Sequence, residues 1–119
     1  MTTNEIKQAF AGWNQEQGLD SLLVLRKNLS LAIYELACEI AELEEKSKAK
    51  EAERKIQHAF KELESDKSTA SARVQDAVVQ TRMIREDEAR LEGELKGCRI
   101  KFDALQNMSH AMASYLNKM

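Results

Sequence analysis

Residues 74–116 read VQDAVVQTRMIREDEARLEGELKGCRIKFDALQNMSHAMASYL. Steps of three and four residues from Val74 land on Ala77, Thr81, Ile84, Glu88, Leu91, Leu95, Cys98, Phe102, Leu105, Ser109, Met112 and Leu116. An alternating repeat held this long keeps one stripe of a helix turned toward a partner helix, whereas a helix laid on a globule shows a broader, less regular apolar face. Unbroken, the helix would be on the order of 65 to 75 Å long at about 1.5 Å per residue, so a helix of similar length must cover its seam.

That partner lies upstream. Asp20 or Ser21 is placed to cap a helix carrying Leu22, Leu25, Leu29, Ile33, Leu36, Ile40 and Leu43 at the same spacing. A second stripe, Leu31, Tyr34, Cys38 and Ala41, calls for another neighbour, either the N-terminal segment or another subunit. From Glu44 to Lys55 the sequence EEKSKAKEAERK keeps good helix formers but offers only alanine as apolar filler. Apolar residues then return at Ala52, Ile56, Ala59, Phe60 and Leu63. The run SDKSTAS, Ser65 to Ser71, collects residues that compete with the helix for backbone hydrogen bonds, so a bend belongs there.

Antiparallel folding about this bend opposes Leu63 to about Ala70, Leu43 to about Leu91 and Leu29 to about Leu105. Ser47 then falls beside Glu88, forming a polar layer in which Lys46, Lys48 or Lys50 neutralises the carboxylate. Gly93 and Gly97 mark either a close helix approach or a kink. The predicted fold is all-α: a long antiparallel helical hairpin, coiled-coil-like, over 19–119, with its bend near 65–71. Ahead of it, residues 1–18 form a short amphipathic helix with Thr2 and Glu5 as capping box, Ile6, Phe10 and Trp13 on one face, and Gly18 as stop. Phe10 and Trp13 either fold back on the main body or dock into a partner.

Composition agrees with long helices: the 119 residues are 43% hydrophobic, 32% charged and 5% aromatic, without proline. The net charge of -2 confines nucleic-acid binding to a local patch. Cys38 and Cys98 have no zinc or redox spacing, and no apolar run approaches the about 18 residues of a membrane span. A reduced, cytoplasmic protein follows. His58 and His110 lack the carboxylate spacing of a helical metal site, and Glu35, Glu39, Glu42, Glu44 and Glu45 read as a solvated face. The sequence reads as non-enzymatic, with no cofactor, metal or small-molecule substrate.

The basic residues form one concentration. Lys46, Lys48, Lys50, Arg54, Lys55 and Lys61 outnumber Glu51 and Glu53 within 46–61, and Arg82 and Arg85 return alongside. Such a stripe either contacts phosphates or forms ordinary intrahelical ion pairs. The apolar root, Leu29, Leu31, Ile33, Tyr34, Leu36 and Ile40 with Phe102, Leu105, Met112 and Leu116, is the expected surface for joining subunits.

A long helix, the basic arm with Arg54-Lys55-Ile56-Gln57-His58-Ala59-Phe60, a polar break with Ser68, and a terminal helix with Phe102-Asp103-Ala104-Leu105 together resemble the UvsY-type recombination-mediator proteins of tailed phages. The similarity is architectural and spans most of Leu29 to Leu116. It implies a homo-oligomer in the cytoplasm of a phage-infected bacterium, binding single-stranded DNA and helping a recombinase or annealing protein load onto strands held by single-strand-binding protein. The arm lysines and arginines would then contact DNA. A structural interaction or phage assembly factor, binding protein only, is the alternative reading.

Overall fold

The computed structural model describes residues 3–13 and 18–118, the side chains of Thr3 and Phe10 excepted. Four helices follow one another: α1 (Thr3–Gly12), α2 (Leu19–Glu64), α3 (Ala70–Gln80) and α4 (Arg82–Asn117). No strand occurs among the described residues, so the all-α expectation holds. The chain packs as two compact units, one built from Met1–Ile40 and Gly97–Met119, the other from Ala41–Lys96.

In the first unit, α1, the start of α2 and the end of α4 enclose an apolar core of Ile6, Leu22, Leu25, Leu29, Leu36, Leu105 and Met112. Trp13 packs on this core with its ring edge-to-face against Tyr115, centroids 4.9 Å apart at 84°. That geometry matches the quadrupoles of two aromatic rings. The N-terminal segment therefore folds back through Ile6 and Trp13; the Phe10 side chain and the Thr2 half of the capping box lie outside the described residues. Helix α1 ends at Gly12, earlier than the expected stop. Gly18, at φ 85°, instead takes the left-handed conformation just before α2. Asp20 then lies in the first turn of α2, where its charge favours the helix N-terminus, rather than at the cap.

The uninterrupted α2 follows from the absence of both glycine and proline between Leu19 and Glu64. Its seam residues Leu29 and Leu36 are buried within the same chain, as are Leu105 and Met112 of α4, while Ile33, Ile40, Phe102 and Leu116 are half-buried against the core. Of the root residues expected to join subunits, only Leu31 and Tyr34 stay exposed. Helix α1 leaves the second stripe uncovered, since Leu31, Tyr34, Cys38 and Ala41 all face solvent.

The second unit is a hairpin of the end of α2, α3 and the start of α4. Its bend is Ser65–Thr69, held by the Thr69 hydroxyl accepting from the Ala72 N–H at 3.1 Å and by the Arg73 guanidinium donating to the Lys67 carbonyl at 3.2 Å. Thr69 is extended, at φ -104° and ψ 150°, as an N-cap residue is, and α3 starts from it. Lys61, Glu64 and Ser65 share one concavity with Asp76 and Gln80. Leu63 does not meet Ala70; it is 83% exposed.

The helical interruption in the return arm falls at Thr81, not at the glycines. Thr81, buried and on the seam, donates its hydroxyl to the Ala77 carbonyl at 2.8 Å, an acceptor already taken by its own N–H at 3.0 Å. This back-bonding bends a helix, and φ -102° with ψ 16° records the bend. By contrast α4 runs through Gly93 and Gly97, and a Cβ at either would meet nothing within 4 Å. Neither glycine serves a close approach or a kink.

Two outcomes follow for chemical denaturation. Leu29→Ala and Leu105→Ala should each destabilise by about 2–5 kcal/mol, whereas Leu63→Ala should stay within about 0.5 kcal/mol. Gly93→Ala and Gly97→Ala should each stabilise by roughly 0.5–1 kcal/mol, because both sit in exposed helix interior.

Candidate nucleic-acid interface

The residues expected to contact DNA all belong to the second unit, on α2 and on the return arm. Whether they face solvent is decided by which side of α2 meets α4. Arg54 and His58, four residues apart, share one helical face and both reach the return arm. Arg54 Nε donates to Glu88 Oε2 at 2.6 Å, and both side chains are mostly covered, 23% and 14% exposed. Lys50, one turn earlier on the same face, reaches Asp87 at 3.6 Å and Glu53 at 3.1 Å.

The basic side chain beside Glu88 is thus Arg54, not Lys46, Lys48 or Lys50. Arg54 stands seven residues beyond Ser47, the neighbour expected from the bend. The contacts depart from the expected alignment by seven residues at Arg54 and Glu88 and by two at Lys50 and Asp87, and a sliding of this kind is poorly resolved by a periodic seam, which matches itself again after one heptad. Charge chooses between alignments that the apolar spacing leaves open. A half-buried carboxylate is expensive unless it is paired, and an Arg fork meets it with directed donors.

Around this pair runs a connected polar seam. Arg85 Nε donates to the Thr81 hydroxyl at 3.0 Å, and Arg85 Nη2 lies 3.1 Å from His58 Nδ1. A guanidinium only donates, so Nδ1 accepts and the ring proton sits on Nε2, which faces Glu62 at 3.7 Å. Three of the eight expected DNA contacts, Lys50, Arg54 and Arg85, are thereby engaged inside the hairpin.

The others are disposed differently. Lys55 pairs with Glu51 at 3.1 Å, Lys61 with Glu64 at 3.4 Å and Arg82 with Glu86 at 2.9 Å, each a contact within one helix. Lys46 and Lys48 are exposed and make no ion pair among the described residues. The Lys55 contact lowers the Glu51 carboxyl below its ordinary range, first through the hydrogen bond and then through charge. The Glu53 hydrogen bond raises the Lys50 ammonium. Lys50 sits at the rim of the hairpin seam and Glu51 on the partly exposed side of α2, so these shifts describe local pairing rather than stability.

The groove between α2 and α4 beside Lys46 mixes signs, with Lys50 and Arg90 set against Glu53 and Glu94. Among the described residues no cluster of His, Cys, Asp or Glu could hold a metal ion, and no helix is long and apolar enough to cross a membrane.

Sequence reasoning missed a different surface. Ala52, Ile56, Ala59, Phe60 and Leu63, the apolar residues expected to return in helical register, do so on a helix, and all five are exposed. Ile56 and Leu63 fall about 180–200° around α2 from Arg54, at about 100° per residue, which turns them away from α4. The missing signal was the polar stripe itself: Lys50, Arg54 and His58 have helical spacing equal to that of the apolar residues.

Thr81→Val should destabilise by about 1 kcal/mol in chemical denaturation, because it deletes a buried hydroxyl and strips Arg85 Nε of its acceptor. Ser71→Ala, on an exposed position of α3, should leave stability within about 0.5 kcal/mol. No protein-family model matches this chain, and neither a curated protein nor a solved structure is significantly similar to it.

Proposed function

We propose that this chain is a non-enzymatic helical accessory protein of phage DNA recombination that assembles from several copies, binds single-stranded DNA and assists the loading of a recombinase or annealing protein. The observation that supports it is the exposure of Lys46 and Lys48 without a paired carboxylate. Lys55 and Arg82, 65% and 80% exposed and held only by partners in their own helices, are further cations open to solvent. Such exposed pairs are weak and salt-sensitive, so a phosphate displaces the carboxylate readily.

The DNA-contacting set is narrower than composition implied: Lys46, Lys48, Lys55, Lys61 and Arg82, with Lys50, Arg54 and Arg85 building the hairpin. A few cations per chain give weak binding. Affinity then comes from several chains tethered together, each raising the effective concentration of the next arm along the strand. A second reading, a structural or assembly factor that binds protein only, is favoured by the exposed apolar residues Leu31 and Tyr34 on the first unit and Ile56 and Leu63 on the second.

Fluorescence anisotropy of a labelled single-stranded oligonucleotide, with a duplex control, separates the readings. Strand-selective binding that weakens steeply with salt is expected. Replacing Lys46, Lys48 and Lys55 with glutamine should flatten the dependence of log affinity on log salt by about 2, at about 0.7 per lost single-strand phosphate contact. Absence of binding at low salt by folded, assembled protein overturns the DNA reading and leaves the protein-only factor.

A further inference from the structure

The outward face of α2 in the second unit is apolar and follows a strict pattern of size. Ala52, Ile56, Ala59 and Leu63 repeat at steps of four and three, and all four are exposed, Ile56 at 55% and Leu63 at 83%. This is a stripe at coiled-coil spacing that no side chain covers among the described residues. Its large residues, Ile56 and Leu63, occupy one heptad position, and the alanines at 52 and 59 occupy the other.

That alternation bears on what can cover it. A parallel copy would set Ile56 against Ile56 and Ala59 against Ala59, crowding one layer and leaving the next hollow. An antiparallel copy sets Ile56 against Ala59 of the second copy and Leu63 against its Ala52, so every layer holds one large and one small residue. The same register brings charge into agreement. Lys55 and Glu62 flank the stripe on one side, and the twofold arrangement places Lys55 of each copy beside Glu62 of the other. Size selects this arrangement, and charge agrees with it on the Lys55 and Glu62 side.

We propose that the outward face of α2, centred on Ile56 and Ala59, is a homodimer interface in which two copies pack α2 against α2 antiparallel. The inference rests on the reading that copies of this chain assemble, and it does not depend on what the assembly binds. It also moves self-association from the apolar root, whose Leu29, Leu36, Leu105 and Met112 are enclosed in one chain, to the hairpin. One stripe is small beside the roughly 800 Å² per partner of a standard interface, so the dimer should dissociate in the micromolar range.

Sedimentation equilibrium of the full chain without DNA tests this. The expected result is a monomer–dimer equilibrium that Ile56→Glu with Leu63→Glu abolishes. Both side chains are exposed in the monomer, so helicity by circular dichroism should be unchanged. Lys55→Glu should weaken the dimer roughly 3- to 10-fold, and adding Glu62→Lys should restore it, because the swap rebuilds both symmetric pairs. A wild-type chain that stays monomeric at about 100 μM, ten or more times above that micromolar range, overturns the proposal. So does a dimer indifferent to the glutamates at 56 and 63, or a Lys55→Glu defect that Glu62→Lys fails to repair. A failed DNA titration accompanied by an intact dimer would strike only the DNA reading.

Discussion

Glu88 sits on the inner face of the hairpin with 14% of its side chain exposed, and the guanidinium of Arg54 meets it at 2.6 Å. A carboxylate so placed has lost most of its water and needs a directed cation in return. Meeting that need turns the Arg54 and His58 face of α2 toward the return arm. Once that face is inward, the residues half a turn away, Ile56 and Leu63, must be outward. The register, the polarity of the seam and the exposed apolar stripe follow from one half-buried charge and its partner.

The two units solve helix packing by different means. In the first, apolar side chains from α1, α2 and α4 close a core around Leu29, Leu105 and Met112, so association is driven by burial and tolerates small adjustments of position. In the second, the seam holds Lys50, Arg54, His58, Arg85 and Thr81 with only Leu43, Ala77 and Leu95 buried as apolar contacts. Hydrogen-bonded charge specifies orientation more sharply than apolar contact does, at the expense of stability. The DNA reading inherits this division, because every cation used in the seam is one fewer for phosphate.

Much of the fold was legible because heptad spacing is a direct geometric signal. The seam from Leu22 to Leu43, its counterpart on the return arm and the turn chemistry of Ser65 to Thr69 all read from residue type and spacing. The register did not, because a heptad repeat slid by seven residues matches itself again, and only the pairing of Glu88 distinguishes the alternatives. Which face of 50–64 turns inward was not legible for a related reason. Two stripes of equal period run along α2 there, and hydrophobicity favours the one that the half-buried carboxylate forces outward. Thr81 gave a weak signal as a β-branched, back-bonding residue on a seam, while Gly93 and Gly97 gave a false one. Of the expected DNA contacts, spacing could not separate cations that build the hairpin from those left to solvent.

The most direct test of the central pairing is a charge-swap cycle followed by chemical denaturation. Arg54→Glu and Glu88→Arg should each destabilise by about 1–3 kcal/mol, since each leaves two like charges facing one another on the inner side of the hairpin. The double variant should recover most of that loss, giving a coupling free energy of about 1–3 kcal/mol. Losses that simply add, with no recovery in the double variant, would show that Arg54 and Glu88 do not face each other and would remove the basis for both the register and the outward stripe.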